Sequence, residues 1–521
     1  MAEGYSRPMS LDLFRTKPVE DILEQGGDEE GPGSGESGGG HLKKRLGALD
    51  LVGFGIGIVI GAGIFTLTGV QAKEHAGPGI VLSFAFAGLA SFLAALCYAE
   101  LASSVPTAGS AYTYAYATMG EIFAWIVGWD LVLEFSLGAA SVARAWSGYL
   151  ANLFHLPSSL FAEDGSTVNI GAIALVVVLG AVAYTGIKQS ARLATGLVIV
   201  KVAICVFIIA VGVFYIKRSN LTPFIPPSKP AKGDTGASQT LVEAVLGVSP
   251  AVYGIGGILT AMAVVFFSFT GFEAVANMSE ETRKPQRNLP LGLLGTLGIS
   301  LLLYVGVSFV LTGMVNYKDI DDNAAIASAF KSVGAGWASY FVDVAAVCGL
   351  TTVVLVDLVA MGRIGYAMTR DGLLPGASSA IHPRFGTPYK ITVVVTVLVA
   401  LLAGFVPLAD LANLVSIGTL FAFVLVSLAV PILRHTRPDV KRAFTVPLSP
   451  VVPVLSALAC LYLMANLTLE TWLRFVIWLA LGMVIYFAYG RRQARLAAGL
   501  GARRHGDIDL REGSSAPTRG A

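Results

Sequence analysis

Residues 51–67 read LVGFGIGIVIGAGIFTL, a run as apolar as a membrane span that carries glycine at positions 53, 55, 57, 61 and 63. Glycine costs about 1 kcal/mol relative to alanine inside a helix, so a helix with Gly-Ala-Gly at its centre is weak there. At membrane depth, an interrupted helix is tolerated only where protein or a water-filled cavity satisfies its free backbone groups. We therefore predict a break that lines a binding site. The alternative is a helix-packing face, with Gly53, Gly57 and Gly61 in register.

The composition indicates a protein that crosses a membrane many times. The 521 residues are 55% hydrophobic and only 13% charged, far from the average of soluble domains. Apolar runs long enough to cross the hydrocarbon core recur about twelve times. They lie near residues 50–70, 79–103, 119–150, 168–187, 191–216, 251–278, 288–314, 337–368, 391–406, 410–433, 449–468 and 472–490. We predict an all-α polytopic membrane protein whose transmembrane domain covers residues 48–490.

Lysine and arginine concentrate in the loops of one predicted side. Lys43, Lys44 and Arg45 precede the first span, and Arg283 and Lys284 follow the sixth. The positive-inside rule assigns this side to the cytoplasm. The polar residues 1–47 and 491–521 then form flexible cytoplasmic tails of a multi-pass protein in the cell membrane, either a plasma or an inner membrane.

Several function classes lack their sequence signatures. The four cysteines, Cys97, Cys205, Cys348 and Cys460, lie inside apolar runs without metal-ligand spacing, so we expect free thiols and no metal site. The chain has no His-Glu-x-x-His motif, no Ser/His/Asp grouping and no Gly-Lys dipeptide of a P-loop. We expect neither an enzyme with catalytic residues nor an ATP-driven pump, and no cofactor.

A second interruption is predicted in the sixth span. Residues 261–290 read AMAVVFFSFTGFEAVANMSEETRKPQRNLP, which places Gly271 and Glu273 in mid-helix. An acid at that depth is costly, so Glu273 is expected to face a cavity or a break. The interrupted spans are the first and the sixth, five helices apart. This pattern favours a five-plus-five inverted repeat with a central substrate site.

These segments resemble a known transporter family. The stretches VIGAGIF (59–65), FFSFTGFEAVANMSEETRKPQRNLP (266–290) and AMTRDGLLP (367–375) resemble the amino acid/polyamine/organocation superfamily, in particular its cationic amino acid transporter branch. The resemblance covers roughly residues 10–490. It implies the broken-helix inverted-repeat fold, alternating access and proton-linked movement of amino acids.

A free amino acid offers a carboxylate and an ammonium, and the two helix breaks supply a partner for each. The half-helix that starts at Ala62, Gly63 and Ile64 presents free N–H groups and a positive dipole end to the carboxylate. The resemblance implies that the carbonyls of Val59, Phe267 and Thr270 hold the ammonium. It also implies that the Phe267 ring closes over the substrate, whereas ordinary packing or lipid contact is the alternative for this ring.

Three buried ionisable residues are assigned to proton coupling. Lys201 lies within the apolar run GLVIVKVAICVFIIAVG, where burial favours its neutral form. The resemblance places this ammonium where sodium-coupled relatives bind their ion, and a snorkelling lysine is the alternative. Glu134 joins Lys201 and Glu273 in this assignment. It lies four residues after Asp130 on one helix face, where either acid could pair with a base, line the cavity or flank the interface.

Asp357, in the apolar run TTVVLVDLVAMGRIGYAM, is the predicted selectivity residue. The resemblance places it where relatives carry a small or apolar residue beside the substrate side chain. An unpaired carboxylate there would attract a cationic side chain. A structural ion pair with Arg363 or Lys201 is the alternative.

The resulting prediction is a secondary transporter that takes up amino acids with protons, in particular arginine, lysine or ornithine. The expected partners are the amino acid, protons and the lipid bilayer, with no nucleic acid, and an accessory membrane subunit is left open. The alternatives are a neutral amino acid carrier or exchanger of the same fold and a receptor that binds without transport.

Overall fold

A computed structural model describes most of the predicted transmembrane domain. The described residues are 16, 46–105, 110–161, 168–185, 191–231, 236, 238–279, 281–375, 380–382, 384–385, 387–440 and 442–490. Apart from residues 16, 46 and 47, the two predicted tails, 1–47 and 491–521, lie outside the described residues.

The described chain is almost entirely helical. Eight helical segments are long and apolar enough to cross a membrane, and four shorter apolar helices accompany them. Together they form twelve successive spans: Ala48–Val59 continued by Gly63–Leu67, Thr68–Gln71 and Ala72–Ala76; Ile80–Ser104; Glu121–Phe154; Ile170–Thr185; Ala191–Gly212; Gly254–Val265 continued by Phe266–Phe269 and Phe272–Met278; Pro285–Met314; Gly336–Arg370; Tyr389–Phe405; Leu408–Thr436; Val451–Ala465; and Leu469–Ile485 continued by Tyr486–Gly490. The predicted all-α polytopic fold is confirmed.

Short elements connect the spans. They are the helices Ser110–Thr118, Ser158–Phe161, Leu241–Leu246 and Ala325–Ser332, the 3₁₀ turns Gly77–Gly79, Val213–Tyr215, Arg218–Leu221 and Tyr317–Asp319, and the antiparallel strands β1 (Lys229–Pro230) and β2 (Ala251–Val252).

The spans pack in two groups around a shared core. Span 3 packs along span 8, and span 7 packs along span 2 and the first half of span 1. Span 10 contacts spans 3 and 11. The most apolar stretch of span 10 is 78% buried, against 22% in span 12. Span 10 is therefore central, whereas span 12 presents its apolar side chains to the surroundings.

One end of the bundle, which we call the basic face, carries Arg283, Arg434 and Arg442. There the Leu46 N–H donates to the Glu281 carbonyl at 3.0 Å, which ties the start of span 1 to the end of span 6. Glu100, at the end of span 2, accepts from Arg434 Nε at 2.7 Å. Its second carboxylate oxygen accepts from an Arg434 amino nitrogen at 2.6 Å. At this end of the bundle, the first contact joins span 1 to span 6, and the other two join span 2 to span 10.

Candidate functional site: a cavity between two broken helices

The first span breaks where its sequence predicts. The helix ends at Val59, Ile60 is extended with φ −74° and ψ 95°, and helical turns resume at Gly63. A Cβ at Gly63 would overlap Ser268 of span 6, so only glycine permits this close approach. Of the glycines in the packing alternative, Gly57 has a close neighbour, since a Cβ there would meet a Val198 methyl group at 2.7 Å, whereas a Cβ at Gly53 would meet nothing within 4 Å.

The sixth span breaks at the same depth. Thr270 is extended and Gly271 has φ +93°, a left-handed conformation that favours glycine. The helix resumes at Phe272. The Gly271 N–H donates to both carboxylate oxygens of Glu273 at 3.1 Å. Glu273 thereby caps the start of the second half-helix, a position where a negative charge is stabilised by the helix dipole.

The predicted ammonium-binding carbonyls already accept hydrogen bonds from the protein. The Val59 carbonyl accepts from the Tyr304 hydroxyl at 2.7 Å. The Phe267 carbonyl accepts from the Thr270 hydroxyl at 2.8 Å and from its N–H at 3.2 Å. A backbone carbonyl has two lone pairs, so Val59 retains one for a ligand, whereas a ligand at Phe267 must compete with Thr270.

A cavity separates the two breaks and extends to spans 3, 8 and 10. Its volume is about 40 Å³, room for roughly three water molecules at about 10–15 Å³ each by this measure. Seven of the predicted site residues line it: Val59, Ala62, Gly63, Glu134, Phe267, Thr270 and Asp357. The structure therefore brings most of the predicted residues together. Ile64 is buried but is absent from the lining, as are Lys201 and Glu273.

Sequence reasoning missed several lining residues, of which Ser268 is the most informative. Its hydroxyl is buried and has no hydrogen-bond partner within the described part of the chain. It lines the cavity beside Gly63. Its place directly after Phe267 in the quoted motif could have identified it. Val353 and Val415 complete the far wall, and nothing in the sequence separates them from other apolar residues of spans 8 and 10.

Asp357 faces the cavity from span 8. Its Oδ2 lies 3.5 Å from the position that a Cβ on Gly138 of span 3 would occupy, so the carboxylate packs beside that turn of span 3. The charges that act on it are those of Glu273 and Lys201. Among the described residues it forms no ion pair within 4 Å, and the predicted alternative partner Arg363 is exposed.

Lys201 does not snorkel to the membrane surface. It is 1% exposed, and its ammonium donates to the Gly57 carbonyl at 2.5 Å. Its Cε passes 3.1 Å from where a Cβ on Gly349 of span 8 would stand. Lys201 therefore joins span 5 to the last turn before the break in span 1, with span 8 alongside.

Glu134 and Glu273 meet across spans 3 and 6. Both side chains are buried, and the charges of the two carboxyl groups act on each other. The two acids therefore form a pair of neighbouring buried carboxyl groups, which we call the Glu134–Glu273 pair.

The chain matches known transporters along nearly its whole length. Residues 46–488 match the amino acid permease family. The chain is 40% identical to a methylthioribose transporter of Bacillus subtilis, covering 93% of this chain and 99% of that protein. It is 41% identical to the branched-chain amino acid permease BcaP of the same organism, covering 94% of this chain and all of that protein.

A plant relative is similar over a shorter stretch. The chain is 40% identical to the vacuolar cationic amino acid transporter 4 of Arabidopsis thaliana over 77% of this chain, and it spans 64% of that longer protein. The named relatives are transporters and not enzymes. With its matched fold and its helix-break cavity, this chain belongs to the amino acid permease family and is a multi-pass membrane transporter.

Proposed function

We propose that this permease carries cationic amino acids together with protons by alternating access. The observation that carries the proposal is the cavity at the two helix breaks, which combines backbone groups suited to an amino acid with the carboxylate of Asp357. Recognition of the common ammonium and carboxylate by backbone leaves the side-chain end of the cavity to set selectivity.

The substrate carboxylate is proposed to lie at the half-helix that begins with Ala62, Gly63 and Ile64. Free N–H groups and the positive dipole end favour an anion there. The buried Ser268 hydroxyl supplies one more donor at the same place. The substrate ammonium then faces the remaining lone pair of the Val59 carbonyl and the Thr270 end of span 6.

The proposed selectivity rests on Asp357. Its carboxylate lines the cavity and has no ion-pair partner among the described residues, so a cationic substrate side chain would supply one. A charge-assisted hydrogen bond contributes about 1.5–3 kcal/mol. One relative is named a cationic amino acid transporter, in line with this assignment.

A branched-chain substrate is the second candidate. Val142, Val353 and Val415 make much of the remaining lining apolar, which suits an aliphatic side chain. The similar Bacillus protein named for branched-chain amino acids supports the same alternative.

Proton coupling is proposed to use the Glu134–Glu273 pair and Lys201. All three are buried near the cavity. A change in the charge of any of them would change the relative stability of the conformations of the helix breaks in spans 1 and 6. Lys201 links such a change directly to the Gly57 carbonyl of span 1. By the positive-inside rule, the basic face is proposed to be cytoplasmic in a cell membrane.

Competition in proteoliposomes tests the substrate class. Arginine, lysine, leucine, alanine and methylthioribose would compete with radiolabelled substrate against the wild type and Asp357→Asn. We expect Asp357→Asn to weaken lysine and arginine by roughly 10- to 150-fold, the loss of about 1.5–3 kcal/mol, and leucine far less.

Asp343→Asn is the matched control, because it neutralises a buried acid of the same helix that bonds Asn152 at 2.8 Å outside the cavity lining. An unchanged substrate ranking in Asp357→Asn contradicts the cationic assignment. A wild type that prefers leucine to lysine supports the branched-chain alternative.

A further inference from the structure

Asp130 is a buried acid without an assigned role. It is 0% exposed, and neither carboxylate oxygen has a hydrogen-bond partner among the residues that the structure describes. It lies one helical turn before Glu134 in span 3, nearer to the end of the span that lies at the basic face. A buried polar group that lacks partners calls for a specific explanation.

Two buried tyrosine hydroxyl groups also lack hydrogen-bond partners among the described residues. The Tyr98 and Tyr114 side chains are almost fully buried, and neither hydroxyl has a partner within the described ranges. Their rings meet edge to face at 6.3 Å. The Tyr98 hydroxyl lies within electrostatic range of Asp130, Glu134 and Glu273 together. The Tyr98 ring also packs edge to face on Phe272, the residue before Glu273, at 5.7 Å, so Tyr98 lies beside the second half-helix of span 6.

Span 10 leaves room for the Asp130 carboxylate. A Cβ on Gly418 would lie 2.7 Å from Asp130 Oδ1, so glycine at this position gives the carboxylate its room. The next residue, Thr419, faces Glu134 with a buried hydroxyl that makes no hydrogen bond to the described chain. Span 10 thus places a glycine against Asp130 and a hydroxyl without a hydrogen-bond partner against Glu134.

A purely structural acid in this protein has different surroundings. Glu100 is 1% exposed, yet its carboxylate binds Arg434 and the Val446 N–H, the latter at 2.6 Å. Asp130 has no such ion pair among the described residues. The titratable groups that interact with it are Glu134 on its own helix and Tyr98 on span 2, neither of which neutralises a negative charge.

We propose that Asp130, with the hydroxyl groups of Tyr98 and Tyr114, relays the transported proton between the Glu134–Glu273 pair and the basic face. In the transfer, an O–H bond breaks on the carboxyl pair and one forms on the Asp130 carboxylate, with Tyr98 or an internal water as the bridge. The relay is redox-neutral, and its reverse step returns the proton. The inference rests on the proposed proton coupling of this permease.

Asp130→Asn in proteoliposomes tests the relay, because asparagine keeps the volume of the side chain and cannot carry the proton. We expect net uptake driven by a pH gradient to fall by roughly a hundredfold, the scale on which a positioned proton-transfer group contributes. Exchange of labelled for unlabelled substrate needs no net proton movement and is expected to stay at the wild-type rate. Asp343→Asn, outside the relay, is expected to keep both activities.

Three results overturn parts of this proposal in distinguishable ways. If net uptake and exchange both fall in Asp130→Asn, the residue acts in folding or substrate binding. If neither falls, Asp130 takes no part in proton transfer. A wild type whose uptake ignores the pH gradient refutes proton coupling itself, before any variant is compared.

Tyr98→Phe provides a second test if Asp130→Asn does not fold. Phenylalanine keeps the edge-to-face contact with Phe423 at 5.4 Å and removes only the hydroxyl. We expect net uptake to fall by about tenfold and exchange to be retained, a smaller effect because internal water can partly bridge the gap. Tyr317→Phe near the opposite face is the control. Unchanged net uptake in Tyr98→Phe overturns the assigned route.

Discussion

The close approach of the two helix breaks makes Gly63→Ala the most informative perturbation. An alanine Cβ at this position would stand 2.6 Å from the Cα of Ser268. Ordinary carbon contacts lie at about 3.5–4.0 Å, so spans 1 and 6 must separate by roughly 1 Å. Both residues line the cavity, and the separation therefore changes the spacing of the groups proposed to hold the substrate carboxylate.

The expected magnitude follows from this displacement. Inserting one methyl group into a tightly packed site costs about 1–3 kcal/mol. If the cost falls on the ligand-binding conformation, the substrate Kd rises by roughly five- to 150-fold. Gly53→Ala is the matched control in the same span, because a Cβ at Gly53 meets nothing within 4 Å.

The assay is equilibrium binding of a radiolabelled amino acid to purified protein in detergent, using the substrate that the wild type takes up best. Size-exclusion chromatography checks that both variants remain folded. We expect Gly53→Ala to bind like the wild type and Gly63→Ala to bind far more weakly. Equal Kd values for Gly63→Ala and the wild type would refute the placement of the substrate at the breaks.

Two further predictions concern charged side chains. Lys201→Ala removes the ammonium that binds the Gly57 carbonyl. Uptake by this variant in proteoliposomes is expected to lose its response to an imposed pH gradient. If the variant accumulates substrate as the wild type does, the role of Lys201 is structural. Glu100→Ala leaves the buried Val446 N–H and the partly exposed Arg434 without their acceptor and should lower the free energy of unfolding by about 1–3 kcal/mol. Glu470→Gln, in an exposed pair, should cost under about 0.5 kcal/mol. Thermal unfolding in detergent measures both, and equal midpoints would contradict the assigned role of Glu100.

The helix breaks could be predicted because their causes are local. Glycine weakens a helix at its own position, and the cost of Glu273 in lipid depends only on its depth. The two interruptions and the span order were therefore visible in the sequence. The five-helix offset between the breaks then indicated that they belong to one site.

The rest of the site depends on contacts between distant segments. The proximity of Gly63 to Ser268 joins spans 1 and 6, and Gly138 of span 3 lies beside the Asp357 carboxylate of span 8. The hydrogen bond that the Phe267 carbonyl accepts from Thr270 could not be predicted either, because the sequence does not show which backbone carbonyls are hydrogen-bonded. For Asp130, the sequence left an interfacial position and a buried position open, and only the packing of span 10 distinguishes them.

Accumulation of a radiolabelled amino acid in proteoliposomes tests the central claim most directly. The account predicts saturable uptake of lysine or arginine against its gradient when the outside is made acidic, and its collapse when a protonophore is added. Empty liposomes should show no uptake, and Gly63→Ala protein should need a correspondingly higher substrate concentration for half-maximal uptake. Uptake that fails to saturate, or accumulation that survives the protonophore, would contradict a proton-coupled carrier with its substrate site at the two breaks.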